Sequence, residues 1–201
     1  MTMLKSTIKC LAAASLLAVA SAHAITVNVF LSGAQETIPN PSLATGNGTF
    51  TLNPDNTISF NVVFAGLTPT LANGAPSALT ISHIHNSATP GVGLPGTNAP
   101  VVIDIVGGVP PAGVSGPLPG VSAGVLVGNN VVVSNAFLTG LSLGNAYFNV
   151  HSNLYPGGEI RGQIAALVNT SVIPVPAALP LMLGGLLLIG AQAVRGRSKR
   201  V

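Results

Sequence analysis

Tryptophan is absent from this 201-residue chain, tyrosine occurs twice, and charged residues make up only 5% of it. A sugar-stacking platform would have only Tyr147 and Tyr155 to draw on. The single cysteine, Cys10, sits near the start, so everything after it must hold together without a disulfide. Glu, Lys and Arg are scarce, which removes most of the strong helix formers and argues against long helices. There is no G-x-S-x-G elbow, no H-E-x-x-H pair and no Gly-rich phosphate loop between a strand and a helix. The basic balance misleads, because six of the seven Lys and Arg residues lie in the two end segments. Between residues 25 and 170, Glu36, Asp55, Asp104 and Glu159 face the lone Arg161, a net charge of −3. With no basic patch to neutralise phosphates, nucleic acid is excluded as a partner.

What is present begins at the ends. Lys5 and Lys9 precede the apolar run LAAASLLAVA, which closes on Ala22-His23-Ala24. A positive region, a short apolar region and small residues in that order predict a signal peptide over residues 1–24. At the other end, residues 177–194 carry no charge and predict a transmembrane helix when joined to the apolar residues before them. Arg195, Arg197, Lys199 and Arg200 follow as a cytoplasmic basic tail.

The middle, residues 25–168, reads as one all-β domain. Ile25, Val27, Val29 and Leu31 alternate with Thr26, Asn28 and Phe30, the period of a strand. Asn53-Pro54-Asp55-Asn56 predicts a turn joining two strands, the second with Ile58, Phe60, Val62 and Phe64 on one face. Further strands are expected over 79–85, 101–106, 121–127, 130–137, 146–151 and 159–167, and a long loop over 107–120. Seven to eight short strands with turn-rich spacing fit a sandwich or a barrel.

Three histidines stand on these strands. His83 and His85 flank Ile84, so both imidazoles share a face about 6–7 Å apart. His151 ends a strand whose apolar face is Ala146, Phe148 and Val150, leaving Tyr147, Asn149 and His151 on the other. If the two strands pair, three imidazoles converge, a donor set suited to zinc or copper. Leu79 and Ile81 share the alternation of His83 and His85, so a structural role at the core margin is the competing reading.

Four stretches follow one another along the domain: Leu31-Ser32-Gly33-Ala34-Gln35-Glu36, Ile81-Ser82-His83-Ile84-His85, Pro100-Val101-Val102-Ile103 and Asn145-Ala146-Tyr147-Phe148-Asn149-Val150-His151-Ser152. Pro156-Gly157-Gly158-Glu159-Ile160-Arg161-Gly162-Gln163-Ile164 comes after them. These stretches carry a resemblance to the CHRD family. It implies an immunoglobulin-like antiparallel β-sandwich outside the cell and makes the histidines part of a motif. Glu159 and Arg161, two residues apart, read as a structural ion pair, or as a buried Arg161 held by a carboxylate or carbonyl across the sheet. The tail, from Val175-Pro176-Ala177-Ala178 through the apolar run to the arginines, resembles a PEP-CTERM sorting signal of the VPLPA variety, preceded by a linker from residue 169. That resemblance implies an exosortase-type membrane protease and signal peptidase as processing partners.

Taken together, the sequence predicts a non-enzymatic envelope or matrix protein associated with exopolysaccharide, anchored in the inner membrane until its tail is processed. The alternative is a zinc- or copper-binding redox or other enzyme built on His83, His85 and His151. The absence of a complete catalytic set inclines the sequence reading against catalysis.

Overall fold

The computed structural model describes residues 23–67 and 78–167. Those residues belong to a compact unit spanning 22–170. They form nine strands: β1 (Ile25–Ser32), β2 (Thr45–Leu52), β3 (Ile58–Ala65), β4 (Leu79–His85), β5 (Val101–Val106), β6 (Val114–Ser115), β7 (Gly124–Val131), β8 (Tyr147–Ser152) and β9 (Ile160–Gln163). One helix, α1 (Asn135–Ser142), lies between β7 and β8.

All nine strands belong to one sheet in the order β5-β4-β8-β9-β1-β2-β3-β7-β6, with every pairing antiparallel. The sheet coils until its edges approach, and Ile105 and Val106 of β5 close on Gly116 beside β6. The expected two-sheet immunoglobulin-like sandwich is thereby corrected to a single, near-closed barrel. The reason is continuity: β1 pairs with β2 on one side and reaches β9 on the other, so the ladder never divides into two sheets. Alternation of apolar and polar residues is the same in a sandwich and a barrel, which is why the pattern alone did not separate them.

The inner face carries the core. Val29 and Leu31, Phe50 and Leu52, the row Ile58, Phe60, Val62 and Phe64, and Phe148 and Val150 are all nearly or fully buried. Phe148 meets Phe60 and Phe50 edge-on, at 5.2 and 6.2 Å between ring centres, the geometry the ring quadrupoles favour. The β2–β3 hairpin forms as the sequence predicts. Asp55 Oδ1 accepts from the Thr57 backbone N–H at 3.0 Å, and Asn56 takes the left-handed conformation at φ 64°.

The expected strands 121–127 and 130–137 are corrected to one strand, β7, followed by α1. Ser134 caps the helix, its Oγ accepting from the Phe137 N–H at 3.2 Å. Phe137 and Leu141, one turn apart, are the residues α1 buries.

The described residues give the expected membrane-crossing helix, and the inner-membrane-anchored precursor that depends on it, no support. Among the described residues no helix is long and apolar enough to cross a membrane. The longest, α1, has eight residues, or about 12 Å of helix against the roughly 30 Å of a bilayer core. Residues 1–22 of the signal peptide, the linker, the sorting motif Val175 to Ala178, the apolar run 177–194 and the basic tail lie outside the described residues.

Candidate metal centre

The histidines lie on the outer face of the sheet, where β4 pairs with β8. His83 stands opposite Asn149, and His85 opposite Tyr147. Between the Leu79–Ser152 pair and the Ser82–Val150 pair the register slips by one residue. That bulge reverses the alternation. Leu79 points inward before it, Ser82 and Ile84 point inward after it, and His83 and His85 are sent outward. The core-margin reading required Leu79 and His83 to share a face, and the bulge separates them. Without it, the same sequence would place the two imidazoles in the barrel interior.

His151 lies on β8 two residues beyond Asn149 and joins the cluster. The ring centres stand 5.6 Å apart for His83–His85, 5.1 Å for His83–His151 and 6.4 Å for His85–His151. One ligand nitrogen from each lies within 4.8 Å of the others. Tetrahedral ligation near 2.0–2.1 Å puts nitrogens roughly 3.4 Å apart, so small side-chain rotations close the set.

The hydrogen bonds settle which nitrogens are available. His85 Nδ1 is 2.8 Å from the Ala99 carbonyl, and His151 Nδ1 is 3.0 Å from the Pro156 carbonyl. A carbonyl only accepts, so each Nδ1 carries the proton and each Nε2 presents a lone pair. Those Nε2 atoms, together with Nδ1 of His83, are buried and have no protein partner. Buried polar atoms without partners are costly. Three of them converging is what a metal ion would relieve, and backbone carbonyls behind ligating imidazoles are the usual orienting groups. The cluster is capable of holding a metal ion, which corrects the expectation of a purely non-enzymatic matrix protein and the inclination against catalysis. A scaffold has no need of three converging unpartnered imidazole nitrogens.

Burial lowers the proton affinity of all three rings. His151 is pushed down to about 4, first by burial and then by the neighbouring His83 and His85, against the pull of the Pro156 carbonyl. His85 is lowered by burial, with the Ala99 carbonyl opposing and His83 and Arg161 adding. His83 is lowered by burial and partly restored by Asp104. At neutral pH the three rings are neutral, the state a metal needs.

A second layer surrounds the histidines. Tyr147 is almost fully buried and stacks flat on His85, 4.7 Å between ring centres and 4° between planes. That burial removes it as an exposed sugar platform. The Arg161 guanidinium lies 3.5 Å from the centre of the Tyr147 ring. Arg161 donates to the carbonyls of Gly93, Leu94 and Thr97, to Thr37 Oγ1 and to Gln163 Oε1, at 2.9 to 3.1 Å. Glu159 Oε1 accepts from Ser42 Oγ at 2.6 Å. Arg161 thus pins the loop after β4 over the sheet. The same loop supplies Ala99, whose carbonyl faces His85 and whose N–H donates to the Tyr147 hydroxyl at 3.2 Å.

Sequence reasoning missed Glu36. It is buried, and its Oε2 lies 3.5 Å from Asn149 Nδ2. Gly158, at φ 128°, leaves the room: a side chain there would overlap the Glu36 and Asn149 oxygens. The available signal was the pairing of Glu36 and Gly158 within the family-like motifs. Burial pushes the Glu36 carboxyl up to about 7, although Arg161 and Asn149 pull the other way. Surface clefts of about 430 Å³ beside α1 and 480 Å³ at Glu36 have no histidine in their lining.

Glu36 and His151 make opposite contributions to stability. His151 binds protons more weakly folded, about 4, than unfolded, about 6.5. Its contribution is complete above pH 6.5 and is lost as pH falls towards 4, about 3 kcal/mol in all. Glu36 binds protons more tightly folded, about 7 against 4.5. Its contribution is complete below pH 4.5 and is lost as pH rises through 7, again about 3 kcal/mol. Between pH 7 and 4.5 the two largely cancel. Glu36→Gln removes the opposing half, so urea unfolding of the metal-free protein should show acid destabilisation steeper by about 3 kcal/mol over that range. Parallel pH profiles for the variant and the wild type would show that Glu36 is not held protonated in the fold.

Fold and site together describe a small β-barrel domain with a three-histidine cluster on its outer face. The CHRD domain matches residues 27–164, more than half of the chain, and the chain belongs to that family. The match includes every histidine of the cluster and ends before the tail that resembles a sorting signal. No curated protein and no solved structure matches the chain.

Proposed function

We propose that this domain binds one metal ion, zinc or copper, through His83, His85 and His151, and that the ion is the seat of an enzymatic or redox activity. The observation that carries the reading is the set of three buried nitrogens without protein partners, two of them fixed by carbonyls in the tautomer that ligation needs. Imidazole suits both metals, and a site with three protein ligands keeps a coordination position open. Bound there, zinc would supply Lewis-acid chemistry and copper one-electron chemistry. The residues of the chain do the rest. Ala99 and Pro156 fix the rings, and Tyr147 and Arg161 hold the loop that covers them, leaving the three unpartnered nitrogens buried.

Elemental mass spectrometry of untagged protein tests this. About one equivalent of zinc or copper should survive loading and dialysis at pH 7.5, and acidification below pH 5 should release it as protons compete for the imidazoles. Protein that retains neither metal after loading would overturn the reading.

A further inference from the structure

Each imidazole of the cluster has one buried nitrogen without a protein partner and one that faces an oxygen. For His85 and His151 that oxygen is a backbone carbonyl. For His83 the nitrogen is Nε2, and what stands there is a side chain: Asp104 Oδ1, at 3.7 Å.

The sheet builds this contact deliberately. Asp104 is the residue directly opposite His83 in the β4–β5 ladder, and the register slips on both sides of the pair, between Ser82 and His83 and between Ile84 and His85. Bulges of this kind re-aim side chains beside functional sites. Ile103 and Ile105 turn into the core, leaving Asp104 alone facing outward among its neighbours. Its carboxylate lies against Gly108, where a methyl group would overlap it. Asp104 is 37% exposed and His83 11%, so the carboxylate reaches solvent while the ring it faces is largely covered.

We propose that Asp104 is the positioning carboxylate of the centre. It holds His83 in the tautomer with the proton on Nε2, leaving Nδ1 for the metal, and so completes a set in which every ligating ring is oriented by an oxygen behind it. This inference rests on the metal-binding reading of the three histidines. A carboxylate behind a ligating imidazole fixes the ring and raises its basicity, and removing such a partner lowers metal affinity about 10–100-fold. A surface ion pair with no such role has little effect on anything.

The test combines zinc affinity, by competition with a chelating dye, and the His83 tautomer, by nitrogen-15 NMR of the metal-free full chain. Wild type should show Nε2–H at His83 and bind zinc. Asp104→Ala should bind zinc about 10–100-fold more weakly, with a mixed His83 tautomer and an unchanged melting temperature without metal. Asp104→Asn, which keeps an acceptor but loses the charge, should fall between the two. Gly108→Ala retains the carboxylate but displaces it, and should reproduce much of the loss. Zinc affinity and tautomer both unchanged in Asp104→Ala would overturn the role of Asp104 while leaving the three-histidine centre standing. Wild-type protein that takes up no zinc would overturn the metal reading instead, and the tautomer alone would then decide whether Asp104 sets His83.

Discussion

Replacing Arg161 with methionine should cost about 3–5 kcal/mol of folding stability, the range for removing one member of a buried, hydrogen-bonded charge set. Methionine approximates the aliphatic stem and keeps most of the packing. What it loses are five donations, three of them to the carbonyls of Gly93, Leu94 and Thr97 in a loop with little apolar burial of its own. It also loses the cation over the Tyr147 ring and leaves buried Glu36 without its positive neighbour. Lysine should recover less than half, because one ammonium has three donors and no plane to lay on the ring. The loss should reach the histidines. The loop that Arg161 holds ends at Ala99, which orients His85, so zinc affinity should fall alongside stability. Urea unfolding and zinc titration of the same two variants read both effects. A methionine variant within 1 kcal/mol of wild type would show that the loop is held by other contacts, such as Asn145 on Ser87 and Thr89.

Much of this site was legible in the sequence, and the parts that were not have physical causes. His83 and His85 on one face, and Tyr147, Asn149 and His151 on one face, follow from the period of a strand. The convergence needed only the two strands to pair, which they do. The bulge before Ser82 was invisible, because nothing in Leu79-Thr80-Ile81 distinguishes a regular strand from one with an extra residue. Its consequence is large, since it decides which face the histidines occupy. Arg161 could be marked as the domain's lone cation, but its partners lie about 65 residues away in a loop and are mostly carbonyls. Backbone acceptors have no sequence signature. Glu36 was hidden for a similar reason, as the room for it comes from Gly158 in the β8–β9 connection and its partner Asn149 lies on β8.

The helix shows the reverse failure. Asn130 to Phe137 contains three consecutive valines, which favour a strand. Thr139 and Gly140 within α1 are poor helix formers. Tertiary burial of Phe137 and Leu141 overrides both, and the Ser134 cap was the only local sign of it. Gly140 has a reason to be there. A side chain at that position would overlap Asn86 and Ser87, the residues that tie the start of the covering loop to the helix. Asn86 Nδ2 donates to the Phe137 carbonyl at 2.7 Å. The helix that sequence reasoning missed therefore braces the same loop that Arg161 clamps from the sheet side. Both ends of the segment that leads from His85 to Ala99 are fixed, and the imidazole between them has little freedom to turn.

That rigidity gives the second large effect its shape. His85→Phe should weaken zinc binding by two to three orders of magnitude while leaving metal-free stability within about 1 kcal/mol of wild type. Zinc sites with four ligands bind with roughly 10–16 kcal/mol, so one ligand is worth about 2.5–4 kcal/mol. Phenylalanine keeps the flat stack on Tyr147 and the volume of the ring. It loses the hydrogen bond to Ala99, about 0.5–1.5 kcal/mol, and it also removes the unpartnered Nε2, whose burial costs about 1–3 kcal/mol. The two nearly offset. A group that serves only the fold would behave the other way, with stability falling and metal uptake unmoved. The separation of the two readouts follows from the structure: the histidine nitrogens are arranged at the expense of the metal-free fold, as is common where function sets the chemistry of a buried site. Isothermal titration with zinc and urea unfolding of the metal-free variant measure them independently. A variant that loses several kcal/mol of stability and still binds zinc with wild-type affinity would assign His85 to the fold and remove it from the centre.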